Sequence, residues 1–155
     1  MDKTNVMRVL EQKKVNYEAH CYVETGKVAG LEVAEALGED PKQVFKTLVT
    51  IGASKKYYVF VVPVNKELHL KKAAQAVGEK SIELIKSKDL LPLTGYIHGG
   101  CSPIGMKKQF KTVVDISASR FDIIMFSGGK IGYQVEVAVE DLKKILSFDL
   151  KDITE

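Results

Sequence analysis

The sequence predicts an α+β domain built on a mostly antiparallel sheet with helices packed against it. Three observations lead there. Val44 to Ile51 and Tyr57 to Val64 are apolar or β-branched at most positions and are separated only by Gly52-Ala53-Ser54-Lys55-Lys56, which reads as a hairpin. Its strands are apolar on both faces, so both faces must be covered, and the sheet either lies between layers or curls toward a barrel. A second hairpin is expected where Gly128-Gly129 joins Ile123 to Phe126 with Ile131 to Val137, and helically spaced segments lie before and after the first.

In chain order, Val6, Val9, Leu10 and Lys13 follow helical spacing with Thr4 or Asn5 available as a cap, which predicts a helix over residues 4 to 14. Tyr17 to Val23 reads as a strand. A loop containing Gly26 and Gly30 precedes a short helix, Leu31 to Leu37, with Gly38 as its stop and Pro41 able to open one further turn. After the first hairpin, Leu68 to Val77 and Ser81 to Leu90 alternate apolar and charged residues at helical spacing, with Gly78 between them. Pro92, Gly95, Gly99, Gly100, Pro103 and Gly105 then mark a shaped loop region. Val113 to Ile116 reads as a strand before the second hairpin, and Glu140 to Leu146 closes the chain as a helix. No repeat, low-complexity tract or linker divides residues 1–155, so a single domain is expected.

With 155 residues and 45% apolar composition, the chain can bury a core without disulfides or a structural metal, which excludes a disordered tail protein. Its longest apolar run, Tyr57 to Val64, falls short of the roughly 18 residues that span a bilayer. Met1 to Asn5 leads into an amphipathic pattern without a secretion signal, and the two cysteines, Cys21 and Cys101, read as reduced thiols, so the cytoplasm is the expected address, with no membrane partner. A net charge of +3 is too small for an extended nucleic-acid footprint, which argues against DNA and confines any RNA contact to a local one.

Lys46 breaks its strand's pattern by sharing a face with Val44 and Leu48. Either its stem snorkels to the sheet edge or it is a cation held in a pocket for a phosphate or a developing oxyanion. His98-Gly99-Gly100-Cys101-Ser102-Pro103-Ile104-Gly105 has the glycine gap of a phosphate-binding loop, but Met106 occupies the lysine position and that assignment fails. A glycine pair able to approach a ligand closely and present N–H groups remains, alongside the plainer alternative of a turn requiring positive φ. His98 and Cys101 match no specific nucleophile signature, and no metal-ligand spacing or cofactor motif exists, so neither metal nor cofactor is predicted. Gln134 and Glu136 share a face of the last strand, opposite Tyr133, Val135 and Val137, and meet either solvent or a polar pocket. Of five scattered Lys-Lys pairs, Lys107-Lys108 lies beside the glycine loop.

Val44-Phe45-Lys46-Thr47-Leu48-Val49, Gly99-Gly100-Cys101-Ser102-Pro103-Ile104-Gly105 and Ser127-Gly128-Gly129-Lys130, in this order and spacing, closely resemble the YbaK/EbsC family of aminoacyl-tRNA deacylases, free-standing relatives of the prolyl-tRNA synthetase editing domain. The resemblance runs from His20-Cys21-Tyr22 to Leu146. It implies a mixed, barrel-like sheet flanked by helices and hydrolysis of the ester joining a wrong amino acid to tRNA. It places catalytic roles on Lys46, Gly99 and Gly100, and substrate-binding roles on Tyr22, Pro103, Ser127 and Gln134, the last standing where the subgroup is expected to carry an acidic residue. The subgroup implied is the Cys-tRNA(Pro) deacylases, in which the substrate's own thiol attacks its ester.

The resemblance implies that the partner is the 3′ end of an aminoacyl-tRNA, with prolyl-tRNA synthetase a candidate second partner. Two rivals stand beside this expectation. One is an Ala- or Ser-tRNA deacylase that uses water. The other is a non-catalytic module holding an RNA end through Lys107, Lys108 and Lys111.

Overall fold

A computed structural model describes residues 2–155. Helix α1 (Asn5–Gln12) is capped by Thr4, whose hydroxyl accepts from the Met7 N–H, and it buries Val6, Met7 and Leu10. β1 (Tyr17–Cys21) ends two residues earlier than the sequence suggests, because Val23–Thr25 turns as a 3-10 segment closed by Gly26 at φ +68°. α2 (Gly30–Ala36) follows, and Gly38 takes the left-handed conformation expected of a stop. Pro41 opens a turn rather than a helix.

β2 (Phe45–Gly52) and β3 (Tyr57–Pro63) form the expected hairpin, with Lys46 opposite Val62 and Leu48 opposite Phe60. α3 (Leu70–Val77) lies where expected. The expected helix from Ser81 to Leu90 is instead β4 (Ile82–Leu84), which pairs with the β2 edge, followed by α4 (Ser87–Thr94). Over Ile82 to Leu84 an edge with unpaired N–H and C=O groups outweighs a weak helical pattern.

β5 (Lys111–Asp115), β6 (Ile123–Ser127) and β7 (Tyr133–Ala138) follow, the last two joined by a five-residue loop, Gly128 to Gly132, longer than the expected two-glycine turn. The closing helix is shorter than expected, α5 (Val139–Leu142), and leads into a strand absent from the sequence reading, β8 (Phe148–Lys151).

The strands make two sheets, β4-β2-β3-β5-β8 and β1-β7-β6. Four pairings are antiparallel; β3 with β5 and β5 with β8 are parallel. A parallel bridge between Val44 and Met125, and a hydrogen bond from the Gln43 amide to the Ile123 carbonyl (2.7 Å), stitch the start of β2 to β6.

The sheets thereby curl together around one core, in which Phe45, Val59 and Val61 meet Ile124, Phe126, Val135 and Leu10. On the outer face Phe60 and Val62 pack beneath Ala73 and Ala74 of α3. The first hairpin is thus covered on both faces, as its composition requires. No helix among the described residues is long and apolar enough to cross a membrane.

Candidate active site

A cleft of about 590 Å³ opens where the β2 start, the β6–β7 hairpin and the loop after α4 converge, roofed by Val28 to Leu31 at the start of α2. Lys46, Tyr22, Gly99, Ser127 and Gln134 all line it. Gly100 and Pro103 do not line it. The Gly100 N–H donates to the Ile97 carbonyl (3.0 Å), and a Cβ there would lie 3.1 Å from the Ile131 backbone nitrogen, so this glycine lets two loops touch. Pro103 is buried in the segment that the Tyr96 hydroxyl secures by donating to the Ile104 carbonyl (2.7 Å). Gly99 sits on the cleft wall at φ +86°, and a Cβ would fall 2.7 Å from the Val28 side chain.

Lys46 runs along the cleft and pairs at its mouth with Glu67, Nζ to Oε1 3.3 Å. The Glu67 side chain is 77% exposed, so the pair is a solvated one worth at most about 1 kcal/mol, and an incoming anion can take the ammonium from it. Tyr22 is held from both sides: its N–H donates to the Gly132 carbonyl (2.7 Å) and its own carbonyl accepts from the Thr25 hydroxyl (2.6 Å). Burial raises its phenol above the ordinary range and keeps it neutral. The Ser127 hydroxyl accepts from the Gly129 N–H at 3.1 Å, fixing the start of the hairpin loop.

Two polar atoms in the cleft walls are buried without a partner, Thr47 Oγ1 and Gln134 Oε1. Buried polar atoms in folded proteins are nearly always paired, so each is a place for a ligand group. Gln134 is 3% exposed, and its Nε2 donates to Glu39 Oε1 at 2.9 Å. Burial raises the Glu39 carboxyl; the Gln134 hydrogen bond and His20 work against that rise, and Glu136 adds to it. His20 is hydrogen-bonded to Glu136. Glu18, His20 and Glu136 bring their ligand atoms within 4.8 Å of one another on an outer face, a set that could accept a divalent cation.

Cys101 also lines the cleft, but burial pushes its thiol up to about 12, which keeps it protonated at neutral pH. His98 is exposed at the rim. Among the described residues no Ser, Thr or Cys side chain is hydrogen-bonded to a histidine, the arrangement an enzyme-borne nucleophile ordinarily uses.

Residues 26–145 match the family model for the aminoacyl-tRNA editing domain. The chain belongs to that family. Across 153 residues it is 44% identical to an Enterococcus faecalis protein named "Putative Cys-tRNA(Pro)/Cys-tRNA(Cys) deacylase EbsC", covering 98% of this chain and 93% of that one. A 76-residue stretch is 32% identical to a proline–tRNA ligase of Shouchella clausii, covering 49% of this chain and 13% of the ligase. The fold matches a crystal structure of "a putative trans-editing enzyme for prolyl tRNA synthetase", with TM-score 0.84, 23% identity, and coverage of 97% of this chain and 95% of that one.

Thr47, Glu39 and Glu67 escape the sequence reading. Thr47 is an ordinary strand residue beside Lys46, Glu39 follows a helix stop, and Glu67 lies in a charged loop, so only the folded geometry brings Thr47 and Glu67 to the cleft and Glu39 to Gln134.

Proposed function

We propose that this member of the editing-domain family deacylates mischarged tRNA in trans, with Cys-tRNA(Pro) as substrate and the substrate's thiol as nucleophile. The observation that carries this reading is the cleft itself. It offers a cation and two unpaired buried polar atoms for holding a ligand, while its own thiol, Cys101, is held protonated. Such a site orients and stabilises, and the nucleophile comes from the substrate.

In the proposed step the cysteinyl sulfur attacks the carbonyl carbon of its own ester and the bond from that carbon to the ribose oxygen breaks. The thiol proton passes to that oxygen. The products are tRNA with a free terminal hydroxyl and a cyclic thioester, which water later opens. Well-oriented intramolecular attack can account for roughly 7–11 kcal/mol of barrier, less the strain of a small ring. Lys46 stabilises negative charge at the ester or the terminal ribose-phosphate, and the Gly99 N–H is the donor for the carbonyl oxygen. Tyr22 and Ser127 position the terminal adenosine or the aminoacyl group, and Gln134 Oε1 and Thr47 Oγ1 accept from the amino acid.

Similarity to a named Cys-tRNA deacylase and to a stretch of a proline–tRNA ligase supports tRNA(Pro) as carrier and prolyl-tRNA synthetase as partner. The cytoplasm is the compartment this substrate implies. The test is an acid-gel assay of ester cleavage across a panel of mischarged tRNAs. Preferential loss of cysteine from tRNA(Pro) is the expected result; preference for alanyl- or seryl-tRNA contradicts the reading.

A further inference from the structure

A second depression, about 510 Å³, lies on the far side of the β6–β7 loop from the cleft. Lys3, Arg8, Lys107 and Lys130 line it, and no acidic residue does. Four of the chain's 23 Lys and Arg residues thus gather at one place. Lys3 is tied to Glu11 at 2.7 Å, but among the described residues Arg8, Lys107 and Lys130 enter no ion pair. Like charges gathered without counter-charges repel one another, and an anion relieves that repulsion.

The backbone around the cavity favours the same sign of ligand. Thr4 and Asn5 present the start of α1, an eight-residue helix whose dipole is positive at that end. The opposing end of α4 also reaches the cavity, and three of its carbonyls are already engaged: Leu90 accepts from the Thr94 hydroxyl, Leu91 from the Gly95 N–H and Thr94 from the Lys107 N–H. Gly95, Gly105 and Gly129 line the cavity, and a Cβ on Gly105 would come within 2.7 Å of the Tyr96 hydroxyl, so these glycines let the walls of the cavity pack closely against α1 and Tyr96.

Two loops connect this cavity to the cleft. Tyr96 faces the cavity and His98 the cleft; Lys130 faces the cavity and Ser127 the cleft. Three residues span at most about 11 Å, and one strand of a nucleic-acid helix advances about 3.4 Å per phosphate. The loop residues that face the two sites therefore lie no farther apart than about three nucleotides.

We propose that the Arg8/Lys107/Lys130 cavity binds backbone phosphates of the tRNA acceptor end and so delivers the terminal adenosine into the cleft. This rests on the aminoacyl-tRNA reading of the cleft. It replaces the Lys107-Lys108-Lys111 grouping expected from the sequence, since of those three only Lys107 lines the cavity, while Lys108 stands over the Phe110 ring.

The test uses the full chain and the Arg8→Gln/Lys130→Gln double variant, both exposed positions, with thermal melting to confirm folding. Binding of an uncharged, fluorescently labelled acceptor-stem RNA is followed against salt, and hydrolysis of Cys-tRNA is compared with that of cysteinyl-adenosine, which has no phosphates. The expected result is a slope of log affinity against log salt that is shallower by about 1.5 in the variant, two contacts at roughly 0.7–0.9 each. KM for Cys-tRNA should rise with kcat unchanged, and cysteinyl-adenosine should be hydrolysed as by the wild type.

An unaltered salt slope overturns the proposal, as does an equal loss on both esters. Displacement of the RNA by inorganic phosphate at matching concentrations also overturns it, in favour of a small-anion site. Salt-dependent RNA binding that the variant weakens, with no hydrolysis by the wild type, upholds the cavity assignment and refutes the deacylase reading instead.

Discussion

Gln134 donates its amide N–H to Glu39 across 2.9 Å and thereby leaves its carbonyl oxygen buried and unpaired in the cleft wall. An amide free to flip could present either end, but a carboxylate on one side fixes Nε2 toward itself and makes the other end an acceptor. Glu39 is thus a positioning residue, and Gln134 is the group expected to meet a donor on the substrate, such as its ammonium.

Glu39→Ala is expected to raise KM for the aminoacyl-tRNA with a smaller effect on kcat, because Gln134 loses its orientation while Lys46 is untouched. Gln134→Leu removes the acceptor and takes from Glu39 its hydrogen-bond donor, so it should cost roughly 1–3 kcal/mol in binding and lower stability as well. Steady-state kinetics with thermal melting separate the two variants; identical kinetics in Glu39→Ala and wild type contradict the positioning role.

The same carboxyl gives a pH dependence. Burial raises the Glu39 pKa above its unfolded value, so the folded state holds that proton more tightly, and stability is lost as pH rises through the folded pKa. Glu39→Gln removes this loss. Its stability relative to wild type should improve from mildly acidic to neutral pH, as read by denaturant melts at each pH; a constant difference contradicts it.

Cys101 should be dispensable for chemistry. With its thiol pushed up to about 12, Cys101→Ala is expected to keep kcat within about threefold of wild type. Complete loss of turnover in a well-folded variant would assign the nucleophile to the enzyme.

Lys46 and Glu67 should part company despite their ion pair. Lys46→Ala is expected to lower kcat/KM by about 10²–10³, the usual effect of removing a group that stabilises developing charge. Glu67→Ala should be nearly silent, since its side chain is 77% exposed and the pair is worth at most about 1 kcal/mol. Comparable losses in both would mean that the pair itself is the functional unit.

Gly132 stands at φ +93°, and a Cβ there would meet the Val23 side chain and lie 3.3 Å from its Cα. Gly132→Ala is therefore expected to destabilise the protein by about 1–3 kcal/mol and to loosen Tyr22, whose N–H the Gly132 carbonyl accepts. Chemical denaturation and KM check the two parts; wild-type values for both would contradict them.

These relationships differ in how far the sequence carries them. Lys46 is legible because a charge interrupts an apolar strand, and Gly99 because a glycine pair asks for an unusual backbone, whereas Gln134 fits the alternation of its strand, which leaves solvent and pocket equally open, and only the resemblance singles it out. Thr47 interrupts nothing, and Glu39 acquires meaning only when a strand 95 residues away brings Gln134 beside it. The fold divides in the same way. The β2–β3 hairpin follows from local composition, whereas β4 and β8 exist because existing strands offer partners. Phe148 and Leu150 alternate with exposed Asp149 and Lys151 as a strand should, but only β5, running parallel from far away in sequence, gives that alternation a place.

The central claim is that the reacting sulfur belongs to the substrate, and the most direct measurement exchanges that sulfur for oxygen. Cys-tRNA(Pro) and Ser-tRNA(Pro) differ at one atom of the amino acid, so single-turnover deacylation of both by the same enzyme isolates the nucleophile. Cysteine should be released at least about a hundredfold faster than serine. Equal rates for the two esters would contradict the account and assign the attack to water.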